Sequence, residues 1–172
     1  MRSLDLRRHA KRDKTEDRLT PEGRAEAQEI ARTLVGEYSV VFVSPALRAA
    51  ETAELFLEGR EPSQRETIAG LASEVEDRWR AAGKAAGSSR ISAIREQDAD
   101  LVRTETERLA GVLRDLLARV PENGRGLAVG HSPLIEAGVF GLTGEEIDPL
   151  EECEGVLLIQ HKGGYRVEPL SR

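Results

Sequence analysis

The sequence predicts an α/β fold, because stretches suited to strands alternate along the chain with stretches suited to helices. Short runs of strand length lie at residues 39–43 and 126–130, and residues 3–8 form a third. Each of these runs is followed, directly or after a loop, by apolar residues at helical spacing. Repetition of a strand and then a helix is typical of a sheet covered by helices.

Length and composition indicate one globular domain. The chain has 172 residues, of which 39% are hydrophobic and 33% charged, with a formal net charge of -6. An acidic excess argues against nucleic acid as a partner, since nucleic-acid binding needs a concentrated basic surface. Cys153 is the only cysteine, so an intrachain disulfide is excluded. Neither a signal peptide nor a membrane-spanning run is visible, and we expect a cytoplasmic protein with no membrane partner.

The first strand brings an arginine and a histidine to its carboxyl end. Residues 3–8 are followed directly by His9, so Arg8 and His9 stand side by side where α/β sheets bind ligands. A nucleophilic imidazole beside a planar guanidinium suits phosphoryl transfer through histidine. Asp5 and Arg7 share the alternate face of His9, so that face either opens into a site or pairs internally.

The second strand leads straight into a helix that carries an arginine. After residues 39–43, Ser44 is predicted as the helix cap and Pro45 as its first residue, which places Arg48 about one turn in. The first turn of a helix at a strand end attracts anions through its free N–H groups, and an arginine adds a bidentate clamp. We therefore count Arg48 as a candidate phosphate ligand.

Residues 58–96 are predicted to cover the site. They carry few apolar side chains and many charges, with Gly83 and Gly87 among their helix breakers, so we expect short helical pieces. A segment that covers a site in this way is where a lid and a proton donor would lie. The carboxylates that it offers are Glu74, Glu76 and Asp77.

The third strand ends in the second candidate histidine. Residues 126–130 form a short apolar run, and His131 lies between this run and a helix opened by Ser132 and Pro133. If the three predicted strands are neighbours in the sheet, four side chains converge on one pocket. These are Arg8, His9, Arg48 and His131.

Two helices and a strand pair are predicted to be structural. Thr20 caps the first helix, and residues 98–120 keep helical spacing over several turns. Residues 155–160 and 165–167 form a closing strand pair. His161 lies at the turn end of this pair, away from the pocket, and is predicted to be a surface residue.

Three motifs together resemble a known family. Residues 8–10, 44–53 and 129–132 are similar, in order and spacing, to the motifs of the histidine phosphatase superfamily, the phosphoglycerate mutase-like proteins. The resemblance runs from about residue 2 to residue 141 and is weakest over 58–96. It implies a three-layer α/β/α sandwich with a mainly parallel central sheet, in a single domain over residues 1–172 whose variable covering segment is at about 58–96.

The resemblance also implies a role for each candidate. His9 would be the nucleophile that forms a covalent phosphohistidine, while Arg8, Arg48 and His131 would hold the phosphate, with no metal and no other cofactor. Cations placed around a phosphoryl group in flight lower its barrier, and His9 must be neutral in order to attack. His131 would be better charged when phosphate is bound. The implied class is a histidine acid phosphatase-type hydrolase of phosphoric monoesters.

The proton donor is predicted within the covering segment. Glu74 is the first choice, because residues 70–74 resemble the leucine-then-glutamate element of the family. The match is displaced by one residue from the commonest spacing, so Glu76 and Asp77 stay open.

Departures from the family pattern bear on the substrate. Ala10 replaces the usual glycine, as in the branch that resembles bacterial phosphohistidine phosphatases of the SixA type, and Arg7 stands where an aliphatic residue is common. Arg7 either widens the positive pocket or pairs with Asp5. The chain is shorter than the mutases it resembles, so we expect water to accept the phosphoryl group. The expected partner is a phosphorylated small molecule, such as a sugar or nucleotide, or a phosphohistidine protein; the alternatives are a mutase or a non-catalytic module that binds phosphate-bearing ligands.

Overall fold

A computed structural model describes residues 1–170 and shows a six-stranded sheet with helices on both faces. The strands are β1 (Arg2–Arg8), β2 (Val40–Val43), β3 (Gln64–Thr67), β4 (Arg125–Gly130), β5 (Gly155–His161) and β6 (Gly164–Leu170). The helices are α1 (Pro21–Thr33), α2 (Leu47–Phe56), α3 (Glu76–Ala86), α4 (Ile91–Gln97), α5 (Ala99–Arg119) and α6 (Leu134–Thr143), with a 3₁₀ turn at Ala69–Leu71.

The sheet is mostly parallel, as predicted. Its strand order is β3-β2-β4-β1-β5-β6, and the first four of these strands are mutually parallel. Strand β5 is antiparallel to β1, and β6 is antiparallel to β5. The three strands whose ends carry the candidate site residues, β2, β4 and β1, are therefore adjacent at the centre of the sheet.

Side chains that alternate along the central strands divide the core into two layers. Leu6 of β1 and Phe42 of β2 belong to a cluster that includes Leu116 of α5 on one face of the sheet. Val41 and Leu127 turn to the opposite face, where they belong to a cluster with residues of α1 and α2. The predicted three-layer α/β/α sandwich is confirmed.

Several predicted element boundaries are also confirmed. The Thr20 hydroxyl accepts a hydrogen bond from the Gly23 N–H at 3.0 Å and caps α1. Asp98 caps α5 in the same way, accepting from the Leu101 N–H at 3.0 Å. Exposed His161 ends β5 at the hairpin turn. Among residues 1–170, no helix has both the length and the apolar character needed to cross a membrane.

The structure corrects three predictions made from the sequence. Ser44 does not cap a helix, because α2 begins at Leu47, two residues beyond Pro45. Gly83 does not break α3, which continues to Ala86 and ends at Gly87 with φ 62°. The packing of the buried face of α3 outweighs the cost of one interior glycine, about 1 kcal/mol. Strand β3 was not predicted, since its residues are polar and mostly exposed at the sheet edge.

The covering segment is anchored by its own apolar cluster. Trp79 of α3 and Ile94 of α4 are buried together with Leu101 of α5 and Leu134 of α6. This packing fixes α3 and α4 beside the start of α6, which follows β4. The segment 58–96 therefore contributes a wall of the cavity described below.

Candidate active site

Three neighbouring strand ends meet at one point of the sheet. The backbone N–H of His9, just after β1, donates to the Gly130 carbonyl of β4 at 3.1 Å. The N–H of Ser44, just after β2, donates to the Val129 carbonyl at 3.1 Å. These bonds extend the parallel ladders by one residue, so the side chains that follow the strands are held at the same edge.

The four predicted residues converge there. The rings of His9 and His131 have centroids 5.3 Å apart and meet edge to face at 61°. Arg48 lies against both: its Nε is 3.2 Å from His9 Nε2, and its Nη2 is 3.2 Å from His131 Nδ1. Together with Arg8, these side chains line a cavity of about 880 Å³.

The hydrogen-bond partners of His9 fix its tautomer. A guanidinium can only donate, so the bond from Arg48 requires a lone pair on His9 Nε2. The carbonyl of Ala10 can only accept, so His9 Nδ1, 2.7 Å away, carries the proton. Burial lowers the pKa of His9 to about 4, and nearby Arg48 and Arg8 act in the same direction. At neutral pH this imidazole is uncharged, with the unprotonated Nε2 beside Arg48.

His131 has the opposite tautomer to His9, with its proton on Nε2. Arg48 donates to Nδ1, so Nε2 carries the hydrogen and donates to the Ser44 Oγ at 2.6 Å. Burial lowers the pKa of His131 to about 3, with further lowering by Arg48 and His9. Both imidazoles are therefore neutral while no anion is bound, and the expected charge on His131 in the phosphate complex stays a prediction.

The two arginines are themselves held by protein oxygens. Arg48 Nη1 donates to the Asp17 carboxylate at 2.7 Å. The same carboxylate accepts from the Leu47 N–H at 2.9 Å, so it also caps the start of α2. Arg8 donates to the Leu150 carbonyl at 2.7 Å and lies 3.8 Å from the Glu152 carboxylate. Both guanidiniums keep further N–H groups for an anion.

Asp5 and Arg7 pair internally and do not open into the cavity. The fully buried Asp5 carboxylate accepts from Tyr38 Oη at 2.7 Å and from Arg125 Nε at 2.7 Å. Arg7 is 2% exposed and donates to the Cys153 carbonyl at 3.1 Å. It is not among the residues that line the cavity. Arg7 therefore does not widen the pocket, and its hydrogen bond goes to the Cys153 carbonyl while Asp5 bonds to Tyr38 and Arg125. Of the three side chains on this face, His9 is the one that lines the cavity.

The three candidate carboxylates take different positions. Glu76, the first residue of α3, lines the same cavity as His9 and His131. Glu74 is exposed and does not line the cavity. Asp77 also lies outside the lining and forms an exposed ion pair with Arg80 at 2.9 Å. Within residues 1–170, no group of three or more His, Cys, Asp or Glu side chains is arranged to hold a metal ion.

A sequence comparison decides the family. The profile of the histidine phosphatase superfamily (branch 1) matches residues 5–158 of the chain. The chain belongs to the histidine phosphatase superfamily. No curated protein sequence gave a match.

Solved structures share the superfamily fold along almost the whole chain. A phosphoglycerate mutase from Bacillus anthracis str. Sterne superposes with a TM-score of 0.73 at 22% identity, covering 98% of this chain and 92% of that one. A phosphoserine phosphatase from Entamoeba histolytica, in complex with 3-phosphoglyceric acid, gives 0.70 at 20% identity, covering 97% and 95%. The protein histidine phosphatase SixA complexed with tungstate gives 0.59 at 20% identity, covering 96% and 94%. At these identities the likeness establishes the fold.

The sequence pattern does not single out two residues that hydrogen-bond to the converging side chains. From the sequence, Ser44 is interpreted as a helix cap. Its position directly after a strand is the same as that of His9 and His131, and this shared position could have identified it. Asp17 lies in a charged loop with no periodicity, and nothing in the sequence marks it as the partner of Arg48.

Proposed function

We propose that this chain is a metal-independent phosphatase that hydrolyses a phosphomonoester or a phosphohistidine through a covalent phosphohistidine on His9. The observation that carries the proposal is the state of His9 Nε2: an unprotonated nitrogen, in a buried neutral ring, within 3.2 Å of an arginine. That nitrogen has the lone pair that attack on phosphorus requires.

In the first step the phosphoryl group enters beside the histidines. Arg48 shifts its donors from the ring nitrogens to phosphoryl oxygens, and Arg8 and His131 contact the remaining oxygens. The His9 Nε2 lone pair forms a bond to phosphorus while the bond from phosphorus to the leaving oxygen breaks. The leaving oxygen takes a proton from a carboxylic acid and departs as a hydroxyl group.

In the second step water replaces the alcohol. A water oxygen attacks phosphorus, the N–P bond breaks with its electron pair returning to His9, and the carboxylate recovers a proton from the water. Orthophosphate leaves, and His9 regains the tautomer that the Ala10 carbonyl favours. The proton on Nδ1 is never transferred, because it stays on that nitrogen and is donated in the hydrogen bond to the Ala10 carbonyl.

Glu76 is the carboxylate that the geometry favours as the donor. It shares the cavity with His9, whereas Glu74 and Asp77 do not line it. Glu74 remains the expectation from the sequence motif.

Phosphatase and mutase differ only in what accepts the phosphoryl group. Chain length separates the two classes less than the sequence suggested, because this chain covers 92% of a solved phosphoglycerate mutase. We keep water as the acceptor, since the cavity is open to solvent through its exposed wall residues Lys11 and Lys84.

The cytoplasmic location expected from the sequence is also part of the proposal.

The test is hydrolysis of an aryl phosphate in the presence of a chelator. An aryl leaving group needs little help from an acid, so turnover reports on the nucleophile. We expect activity that survives the chelator and is lost in His9→Ala, with His161→Ala as the matched control at an exposed position. Quenching in alkaline detergent should trap a phosphoryl group on the wild-type chain that later treatment with acid releases, and none on His9→Ala.

Three results would decide against the proposal. Full activity in His9→Ala, or loss of activity with the chelator, excludes the histidine route. Binding of phosphate without any turnover supports the alternative of a non-catalytic module that binds phosphate-bearing ligands. Transfer of the phosphoryl group to an added hydroxyl compound in preference to water indicates a mutase.

A further inference from the structure

The cavity is strongly basic although the chain is acidic. Seven lysines and arginines line it against two glutamates, in a chain of net charge -6. Two of the seven, Arg8 and Arg48, lie beside the histidines. We call the other five the cationic rim; they are Lys11, Arg12, Lys14, Arg80 and Lys84.

Two separate elements build the cationic rim. Lys11, Arg12 and Lys14 come from the loop that leaves His9 at the end of β1. Arg80 and Lys84 are one turn apart on α3, which places them on the same face of the helix as Glu76. Positive charge therefore flanks the phosphoryl position from two elements that are remote in sequence.

Most of the rim cations form no salt bridge within residues 1–170. Among residues 1–170, no salt bridge joins Lys11, Lys14 or Lys84 to a carboxylate, and Arg80 meets only the exposed Asp77. Elsewhere in the chain, arginines are paired with carboxylates, as in the Arg125 bridge to buried Asp5. Unpaired cations around a concave surface focus a field that attracts anions.

A single phosphoryl group does not need this rim. In the mechanism proposed above its three oxygens are contacted by Arg8, Arg48 and His131, which line the cavity and together supply enough donors for all of them. Asp17 and Glu152 partly offset the charges of Arg48 and Arg8, and a phosphoryl group adds about two negative charges, so the five rim cations still exceed the negative charge that is left. The rim thus offers charge in excess of what one phosphoryl group uses.

We propose that the cationic rim binds a second anionic group of the substrate, so that the site selects small molecules carrying two phosphate groups over simple monophosphates. This inference rests on the phosphatase function proposed above, whose substrate it narrows. The cavity volume of about 880 Å³ is that of a small-molecule pocket, and concave walls enclose a small ligand better than a protein surface.

The first experiment compares substrates. Short alkanediol bisphosphates of increasing chain length are measured against alkyl monophosphates of the same length. We expect kcat/KM for the best bisphosphate to exceed that of its monophosphate by about tenfold, since each exposed ion pair contributes little and several rim cations act together. This ratio should shrink as ionic strength rises, because salt screens exposed charges.

The second experiment removes rim charges. The double variant Lys14→Gln, Lys84→Gln should lower the ratio of bisphosphate to monophosphate kcat/KM by about fivefold. Lys162→Gln is the matched control, since Lys162 is exposed in the turn between β5 and β6, at the opposite end of β1 from His9. An unchanged ratio in the double variant would exclude the rim from substrate selection.

A binding measurement separates this proposal from the proposed function. Calorimetry on His9→Ala, or on the wild-type chain if it shows no turnover, needs no catalysis. Tighter binding of bisphosphates than of monophosphates, weakened in the double variant, supports the rim even if no phosphate is hydrolysed. Equal binding of both ligands, alongside normal hydrolysis of monophosphates, overturns the rim proposal and leaves the phosphatase standing. Preferred turnover of a phosphohistidine protein over every bisphosphate also overturns it.

Discussion

Ser44 Oγ accepts a hydrogen bond from His131 Nε2 at 2.6 Å, and this contact leaves the other ring nitrogen of His131 facing Arg48. Arg48 donates to the other nitrogen, Nδ1. When an anion draws Arg48 away, Nδ1 is the atom free to take a proton and contact a phosphoryl oxygen. Within the proposed function, Ser44 is thus a positioning residue that acts through His131.

Replacing Ser44 should impair the site more than the fold around it. Ser44→Ala leaves the buried Nε2–H of His131 without an acceptor, a loss worth about 1–3 kcal/mol. We expect kcat/KM for an aryl phosphate to fall by about tenfold. The control is Ser39→Ala, which removes a serine hydroxyl bonded to the Arg125 carbonyl away from the cavity. Equal activity in the two variants would contradict the role given to Ser44.

Arg48 is expected to control both histidines at once. In Arg48→Gln, kcat/KM should fall by about a hundredfold, as for loss of a donor to a developing anion. The pKa values of His9 and His131 should also rise, because a nearby cation that disfavours protonation has been removed. They should stay below 6.5, since burial, the larger cause, remains. Arg103→Gln, which removes an exposed arginine of α5, should change neither quantity.

The sequence was sufficient to predict an element where its residue pattern is typical of one kind of structure. Apolar runs at 39–43 and 126–130 gave β2 and β4, and histidines directly after strands gave the site, because parallel strands meet at a common edge. The sequence was insufficient where a residue pattern fits two different structural roles. Ser44 before Pro45 fits a helix cap as well as a strand-end ligand, and only the position of His131 distinguishes them.

Longer-range geometry determines what the sequence pattern leaves open. Strand β3 is an edge strand whose pairing with β2 supplies the stability that its polar side chains do not, so no apolar pattern marks it. The choice between Glu74 and Glu76 depends on where α3 begins and how it turns. That orientation is set by the packing of Trp79 in the apolar cluster of the covering segment, which the sequence pattern does not reveal.

The acid limit of activity should lie well below the ordinary pKa of histidine. His9 must be neutral to attack, and its pKa of about 4 keeps it neutral as pH falls from 7 to about 5. We expect kcat/KM to lose its His9-dependent component only as pH falls through about 4. NMR titration checks this independently of substrate ionisation, because the chain has three histidines, each assignable from one variant. A His9 titration near 6.5 would refute the prediction.

The Asp5 network beneath the site should matter for stability. Asp5→Asn removes a fully buried charge that Arg125 and Tyr38 contact, and breaking such a pair costs about 3 kcal/mol. Urea unfolding should therefore show a lower midpoint with an unchanged slope. The exposed pair of Asp100 and Arg103 supplies the control: Asp100→Asn should hardly move the midpoint. Matching midpoints in the two variants would show that the buried network contributes little.

Glu76 and Glu74 can be separated by the leaving group. Glu76→Gln removes the carboxylic acid that lines the cavity, so hydrolysis of an alkyl phosphate, whose leaving oxygen needs a proton, should fall by about 10²–10⁴-fold. Hydrolysis of an aryl phosphate should fall far less, because its leaving oxygen departs without a full proton. Glu74→Gln is the matched variant two residues away, and Asp77→Asn is a second one. If Glu74→Gln shows the selective loss and Glu76→Gln does not, the sequence motif has identified the donor and the covering segment must rearrange when substrate binds.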